Sequence, residues 1–186
     1  MPANRKHSHR IVKLCSGALI LFASGCLITS KLGYRINWTP SVPIGIWKVD
    51  ALTGPVQRGQ IVSICPTDST IFQMALERHY LSWGLCPGGY ASLLKPVAAV
   101  AGDRVSISGQ GIAINGVLVP NSKVLTKDSM GRPLIPVQVG RYIVRPGNVW
   151  LVSTCAQSFD SRYFGPLPAA NILGTATPVL CGGSTQ

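Results

Sequence analysis

Thr39-Pro40-Ser41-Val42-Pro43-Ile44-Gly45 offers one serine between two prolines, just beyond an apolar N-terminal segment. Proline holds φ at about −65° and has no backbone N–H to donate. This serine therefore lies on a stiff, extended loop and not inside a helix. Most serines in such surroundings are ordinary loop residues. Two later stretches change its weight: Leu93-Leu94-Lys95-Pro96 followed by Gly102-Asp103, and Ser158-Phe159-Asp160-Ser161-Arg162.

The 186 residues have room for one domain with a real core plus an anchor. The net charge is +11, and its distribution matters more than its size. Arg5, Lys6, Arg10 and Lys13 precede the apolar stretch with no acid among them, leaving 13 basic and 6 acidic residues beyond it. A basic exterior can serve nucleic acid. Here the charges are scattered singly, without an aromatic-interleaved basic stripe, so no direct nucleic-acid contact is expected.

Leu14–Ser30 is a run of 17 residues without a charge. At about 1.5 Å per residue it reaches about 26 Å, short of a hydrocarbon core of about 30 Å. Extension from Ile11 to Leu32 closes the gap if Lys13 and Lys31 snorkel to the interfaces. Tyr34 and Trp38 then fall where interfacial aromatics belong. The expected organisation is a cytoplasmic basic tail over 1–13, a single transmembrane anchor over 14–32 and an exported domain over 33–186. A cleaved leader is the rival reading, and Ala23-Ser24-Gly25-Cys26 approximates a lipoprotein cleavage box.

Cys15 and Cys26 lie in the apolar run as small hydrophobes. Cys65, Cys86, Cys155 and Cys181 form an even set that allows three pairings. Cys65–Cys86 and Cys155–Cys181 are expected, since each pair brackets one continuous segment in an oxidising compartment. Four reduced core thiols are the alternative. No Cys-x-x-Cys is present and histidines are few, so neither a metal nor an organic cofactor is implied.

In chain order, Leu32–Pro40 reads as a tether, and Ile46–Val49 and Ile61–Cys65 as strands. A helix starts at Thr67 or Ser69 and runs to about Ser82, closed by Gly84. Tyr90–Ala101 is an apolar strand carrying Lys95. Arg104–Ser108 is followed by Ile112–Val119, where Asn115-Gly116 is a strong hairpin signal. Residues 121–136 read as a polar surface excursion, Val137–Val144 and Val149–Thr154 as strands. A helical turn near Ala169–Ile172 precedes a last strand near Gly174–Leu180. The expected fold is mainly β with one sizeable helix.

Acyl transfer needs an activated nucleophile, a base and donors for the oxyanion. His7 and His9 sit in the basic tail, and His79 reads as a solvated helix residue, so a Ser-His-Asp arrangement is not expected. Lys95 is embedded in an apolar stretch, where burial disfavours the ammonium form and leaves an amine able to take a serine proton. A strand lysine whose head reaches solvent is the alternative.

These stretches resemble the signature boxes of bacterial type I signal peptidases. Ser41-Val42-Pro43-Ile44-Gly45 resembles the nucleophile box, and Arg58-Gly59-Gln60-Ile61-Val62 the strand box that usually reads Arg-Gly-Asp. Lys95 with Gly102-Asp103-Arg104-Val105 resembles the lysine box, and Ser158-Phe159-Asp160-Ser161-Arg162 the terminal box. Their order and the single N-terminal anchor match too. Within that superfamily, Ser-x-Pro-x-Gly is most similar to the conjugative-transfer peptidases of TraF type. Pro96 departs from the usual arginine after the base, and Ala99 and Ala101 stand where glycine and proline are common.

The resemblance implies a signal-peptidase-like β domain with Ser41 as nucleophile, Lys95 as general base and Asp160 as a required acid on the lysine side. Ser158 would orient the Lys95 amine, and Arg162 would pair with Asp160. A surface ion pair is the alternative for those two. The oxyanion hole would use the Ser41 N–H and the Thr39 hydroxyl, while Asp103 would be a turn residue. It further implies a single-pass inner-membrane enzyme with its catalytic domain in the periplasm. Its partners would be a pilin precursor or another membrane-tethered preprotein and the conjugation (type IV secretion) apparatus. Such enzymes trim the pilin and in some systems join its ends into a circle. A general signal peptidase and a non-catalytic subunit of the apparatus are the alternatives.

Overall fold

The structure, a computed structural model, describes residues 32–182. The basic tail and nearly all of the expected anchor lie outside the described residues. Among the described residues no helix is long and apolar enough to cross a membrane. Contacts divide the chain into two compact units between Arg35 and Ile36, and the second unit holds the hydrophobic cores.

The strands are β1 (Tyr34–Asn37), β2 (Gly45–Asp50), β3 (Ile61–Ile64), β4 (Trp83–Cys86), β5 (Leu93–Ala99), β6 (Arg104–Ser108), β7 (Gly111–Ile114), β8 (Val117–Leu118), β9 (Gly140–Ile143), β10 (Asn148–Leu151), β11 (Leu167–Pro168) and β12 (Ile172–Cys181). The sizeable helix is α1 (Thr70–Glu77), and α2 (Ser161–Phe164) is one short turn. The larger sheet has the order β1-β2-β12-β3-β5-β10-β11, the smaller one β8-β7-β6-β9. The mainly β reading with one sizeable helix holds.

β5 lies between β3 and β10 and alternates strictly between buried and half-buried residues. Side chains in a strand point to opposite faces in turn, so Lys95 shares the buried face with Leu93, Val97 and Ala99. The proline after it is tolerated for a positional reason. Val97 N–H donates to Gln60 O and Val97 O accepts from Gly59 N–H, both at 2.8 Å. Residues 95 and 97 therefore bond towards β3, while residue 96 faces the β10 side, where pairing reaches only Leu151 opposite Val97. Pro96 removes a donor that no ladder needs.

Phe72 and Ala75 of α1 pack on Val62, Ile64, Val97, Leu151 and Phe159 in the main core. A second core joins Val105, Ile107 and Ile112 to Trp150 and Val152. Gly45, the last residue of the opening heptad, has φ +149°, and a Cβ there would stand 2.1 Å from Leu180 O across the β2–β12 ladder. Glycine is required at that step by both backbone angle and space.

Several boundaries differ from the sequence reading. The expected tether includes a strand, β1. The helix stops at Arg78: His79 adopts φ 60°, His79 N–H donates to Leu76 O and Tyr80 N–H to Ala75 O. That is a Schellman closure with histidine in the left-handed position. Trp83–Cys86, expected at the helix end, is strand. The Asn115-Gly116 hairpin forms, both residues having positive φ as a type I′ turn demands.

Cys65 and Cys86 are joined, while Cys155 and Cys181 are free thiols. The second expected pairing is thus corrected. Cys181 ends β12 opposite Gly45, and Cys155 follows β10, with β3 and β5 between those strands. Three strand steps of about 4.8 Å each exceed the reach of about 7 Å between bridged Cα atoms. Replacing both Cys65 and Cys86 by serine is expected to cost about 2–4 kcal/mol, a fall in Tm of roughly 5–15 °C. An unchanged melting curve would mean that packing alone holds the segment between them.

Candidate active site

Ser41 sits on the loop between β1 and β2, and that loop is held from both sides. Asn37, buried at the end of β1, shares its Nδ2 hydrogens among Thr39 O (2.7 Å), Val42 O (3.0 Å) and Pro43 O (3.1 Å). Its Oδ1 accepts from Thr39 N (3.2 Å) and Thr39 Oγ1 (3.0 Å). From the other side Ser153 Oγ donates to Ser41 O at 2.6 Å. A proline-rich loop has few donors of its own, and these side chains satisfy the carbonyls that remain.

Lys95 Nζ lies 2.6 Å from Ser41 Oγ and 2.7 Å from Ser158 Oγ, and the two hydroxyls are 3.0 Å apart. Lys95 is 5% exposed, Ser41 8% and Ser158 4%. Among the described residues no carboxylate comes within salt-bridge distance of the amine. Loss of hydration pushes the Lys95 pKa down to about 8; Asp160 opposes this through its field, and Arg162 adds to it. The alternative of a lysine head reaching solvent is excluded by this burial.

Asp160 and Arg162 are both 0% exposed, so they form no surface ion pair. Arg162 Nε and Nη2 each lie 2.8 Å from a different Asp160 carboxylate oxygen, a two-point pairing. The guanidinium also donates to Cys155 O (2.8 Å), Ala156 O (3.0 Å) and Ser158 O (3.1 Å). Asp160 caps α2 by accepting from Arg162 N (3.1 Å), and accepts from Ser153 N (3.0 Å). The pair thus fixes the loop from Ser153 to Ser158 that bears on both Ser41 and Lys95.

The structure brings Ser41, Lys95 and Ser158 together, with Asp160 and Arg162 behind them. The Ser41 N–H makes no hydrogen bond among the described residues, whereas the Thr39 hydroxyl is engaged with Asn37. Arg58 of the strand box meets Asp103 at 3.6 Å, and Asp103 closes the turn after β5 by accepting from Val100 N (2.9 Å). Asn37 and Ser153 were not singled out in the sequence. The only trace was a serine ending the apolar run Val149–Val152.

A cleft of about 530 Å³ opens on Ser41, walled by Ile36–Ser41, His79–Ser82, Ala91–Lys95 and Gln157–Phe159. Leu125, Lys127, Asp128, Ser129 and Leu134 also line it, so the 121–136 stretch is more than a polar excursion. Asp128 pins that stretch, accepting from Tyr80 Oη and from Arg132 Nε (2.6 Å). Among the described residues no group of three or more His, Cys, Asp or Glu side chains is placed to hold a metal.

A buried amine of lowered pKa touching a hydroxyl, at the foot of an open cleft, suits proton transfer to and from that hydroxyl. The chain belongs to the signal peptidase family, peptidase S26, whose model matches residues 8–181. Among its relatives, the conjugal transfer protein TraF of Agrobacterium fabrum is 44% identical over 173 residues, covering 92% of this chain and 97% of that protein. The plasmid transfer protein TraF of Escherichia coli is 38% identical over 173 residues, covering 92% and 94%. A crystal structure of a signal peptidase I from Enterococcus faecalis aligns over 68% of this chain and all of that one, at 20% identity and a TM-score of 0.38.

Asp160→Asn is expected to lower stability by about 3–5 kcal/mol in urea unfolding, because it strands a buried guanidinium. Lys95→Met has the opposite sign. With a folded pKa of about 8 against 10.5 for a free lysine, the unfolded chain holds a proton that the folded chain lacks between those values. Stability therefore rises with pH across that window, and the cost is complete below it. At pH 7 Lys95→Met should melt a few degrees above the unsubstituted chain, roughly as removal of active-site strain does elsewhere, with the gap closing towards pH 10. A lower Tm at pH 7 would contradict the buried amine.

Proposed function

We propose that this chain is a membrane-anchored serine peptidase of the Ser–Lys type that processes a pilin precursor for conjugative transfer. The observation that carries the reading is the 2.6 Å approach of buried Lys95 Nζ to Ser41 Oγ. Lys95, in its neutral form, takes the Ser41 proton as Oγ attacks the carbonyl at the cleavage site. The Ser41 N–H stabilises the oxyanion, and the Thr39 hydroxyl joins it by leaving Asn37 Oδ1. One neutral hydrogen bond of about 1 kcal/mol is exchanged in that move, and the Thr39 N–H keeps Asn37 satisfied.

Collapse of the tetrahedral intermediate breaks the C–N bond, and Lys95 returns the proton to the departing amine. The resulting Ser41 ester is resolved either by water, with Lys95 again as base, or by the amino terminus of the same pilin. The second route forms one peptide bond as the ester breaks and yields a ring. Ser158 orients the amine, and Asp160 with Arg162 holds the loop that carries it. The names of the TraF relatives favour a conjugation substrate, and the Cys65–Cys86 disulfide suits an oxidising compartment such as the periplasm. The basic tail and the apolar run favour a single-pass anchor in the inner membrane. The signal peptidase family match also accommodates a broad signal peptidase. Cleavage of an unrelated secreted precursor would favour that second reading.

Coexpression with the pilin precursor, read by intact mass, tests the proposal. Trimming by the unsubstituted chain alone is expected, with Ser41→Ala and Lys95→Ala each reduced by at least about 10³-fold; a further loss of one water marks a ring. Equal masses in all samples, with folded variants, would leave a non-catalytic subunit of the apparatus. Because the neutral amine is the active form, kcat/KM should rise with pH through a midpoint of about 8.

A further inference from the structure

We infer that Ser153 is a positioning residue for Ser41, joining the nucleophile's own backbone to the buried Asp160 carboxylate; this rests on the Ser41–Lys95 reading above. Ser153 follows the apolar strand end Trp150-Leu151-Val152 and is 1% exposed. Three of its atoms are committed in different directions. Its N–H donates to Asp160 Oδ2 (3.0 Å), its Oγ–H donates to Ser41 O (2.6 Å), and its Oγ accepts from Cys155 N (3.0 Å).

Asp160 makes no hydrogen bond with Lys95; its carboxylate bonds run to Ser153 and to Arg162. Ser153 is therefore the residue that bonds both the Asp160 carboxylate and the backbone of the nucleophile. On the far side of Ser41, Asn37 holds the carbonyls of Val42 and Pro43, and the carbonyl of Ser41 itself is left to Ser153. With that bond gone the 41–42 peptide plane can rock, and Oγ moves with it relative to Lys95 Nζ. Displacements of about 1 Å at a reacting atom can cost about 10²-fold in rate. Ser153 makes no hydrogen bond to Lys95 or to the Ser158 hydroxyl, so its loss reaches the amine only through the position of Ser41 Oγ, while the burial and the fields of Asp160 and Arg162 that set the Lys95 pKa stay in place. That separates it from Ser158, whose hydroxyl bonds the amine directly.

The test uses the full chain in detergent and a penem, whose strained lactam carbonyl acylates serine, with the adduct followed by intact mass against time and pH. Ser153→Ala should acylate roughly 10- to 100-fold more slowly with the midpoint of its pH profile unmoved. Ser153→Thr, which keeps the hydroxyl, should recover most of the rate. Ser158→Ala should move the midpoint. The inference is overturned by an unimpaired Ser153→Ala, by a midpoint that moves as Ser158→Ala moves it, or by a folded Ser153→Thr no faster than alanine. Should Ser153→Ala fail to melt cooperatively, Ser153→Cys decides: its weak donor predicts an intermediate rate, and a full rate overturns the inference. No adduct on the unsubstituted chain, or one that survives Ser41→Ala, overturns the Ser–Lys reading and this inference with it. An adduct lost in Ser41→Ala but undiminished in Ser153→Ala overturns this inference alone.

Discussion

Lys95 projects from the middle of β5 into a site where its hydrogen-bond partners are two hydroxyls and where no carboxylate among the described residues reaches it. An amine so placed loses hydration without gaining a counter-ion, and its ammonium form is disfavoured. That cost has to be met by the surrounding packing. The lysine strand is an interior strand of the larger sheet, with β3 on one side and β10 on the other. The nearby opposite charge, Asp160, is already taken by Arg162. Were Asp160 free to pair with Lys95, the amine would hold its proton more tightly.

The Asp160–Arg162 pair solves a second problem with the same atoms. Ser41 and Lys95 come from segments 54 residues apart, and the terminal loop must meet both. One guanidinium gathers the carbonyls of Cys155, Ala156 and Ser158 while its partner carboxylate takes the Ser153 N–H. A backbone that would otherwise leave buried carbonyls unsatisfied is thereby fixed with a serine at each end, Ser153 towards the Ser41 peptide and Ser158 towards the amine.

Much of this was legible in the chain. The apolar run around Lys95 reads as a strand, and Asn115-Gly116 as a hairpin signal. Two prolines around Ser41 mark an extended loop, the apolar stretch points to Lys95, and the family resemblance implies the roles of Ser158, Asp160 and Arg162. What stayed hidden depends on long-range geometry. Asn37 in Arg35-Ile36-Asn37-Trp38 carries no local pattern, because its role is to collect carbonyls that only the folded loop turns inward. Ser153 looks like any serine at a strand end until Ser41 comes to lie beside it. The left-handed closure at His79 broke the expectation that glycine ends a helix, since a histidine took that backbone angle. Cys155–Cys181 failed because bracketing a segment in sequence says nothing about strands interposed in space.

The proposed chemistry stands on an amine whose pKa lies well below that of a free lysine, and its most direct measurement is the titration of that group. Selective ¹³C labelling of lysine Cε, with Lys95→Met to assign the resonance, would follow the Lys95 signal from pH 6 to pH 11 in the full chain with Ser41 intact. A midpoint of about 8, below the 10.5 of a free lysine, is the predicted result. A Lys95 signal that titrates near 10.5, the value of a free lysine, would leave almost no neutral amine beside Ser41 at neutral pH. The lysine could not then be the base.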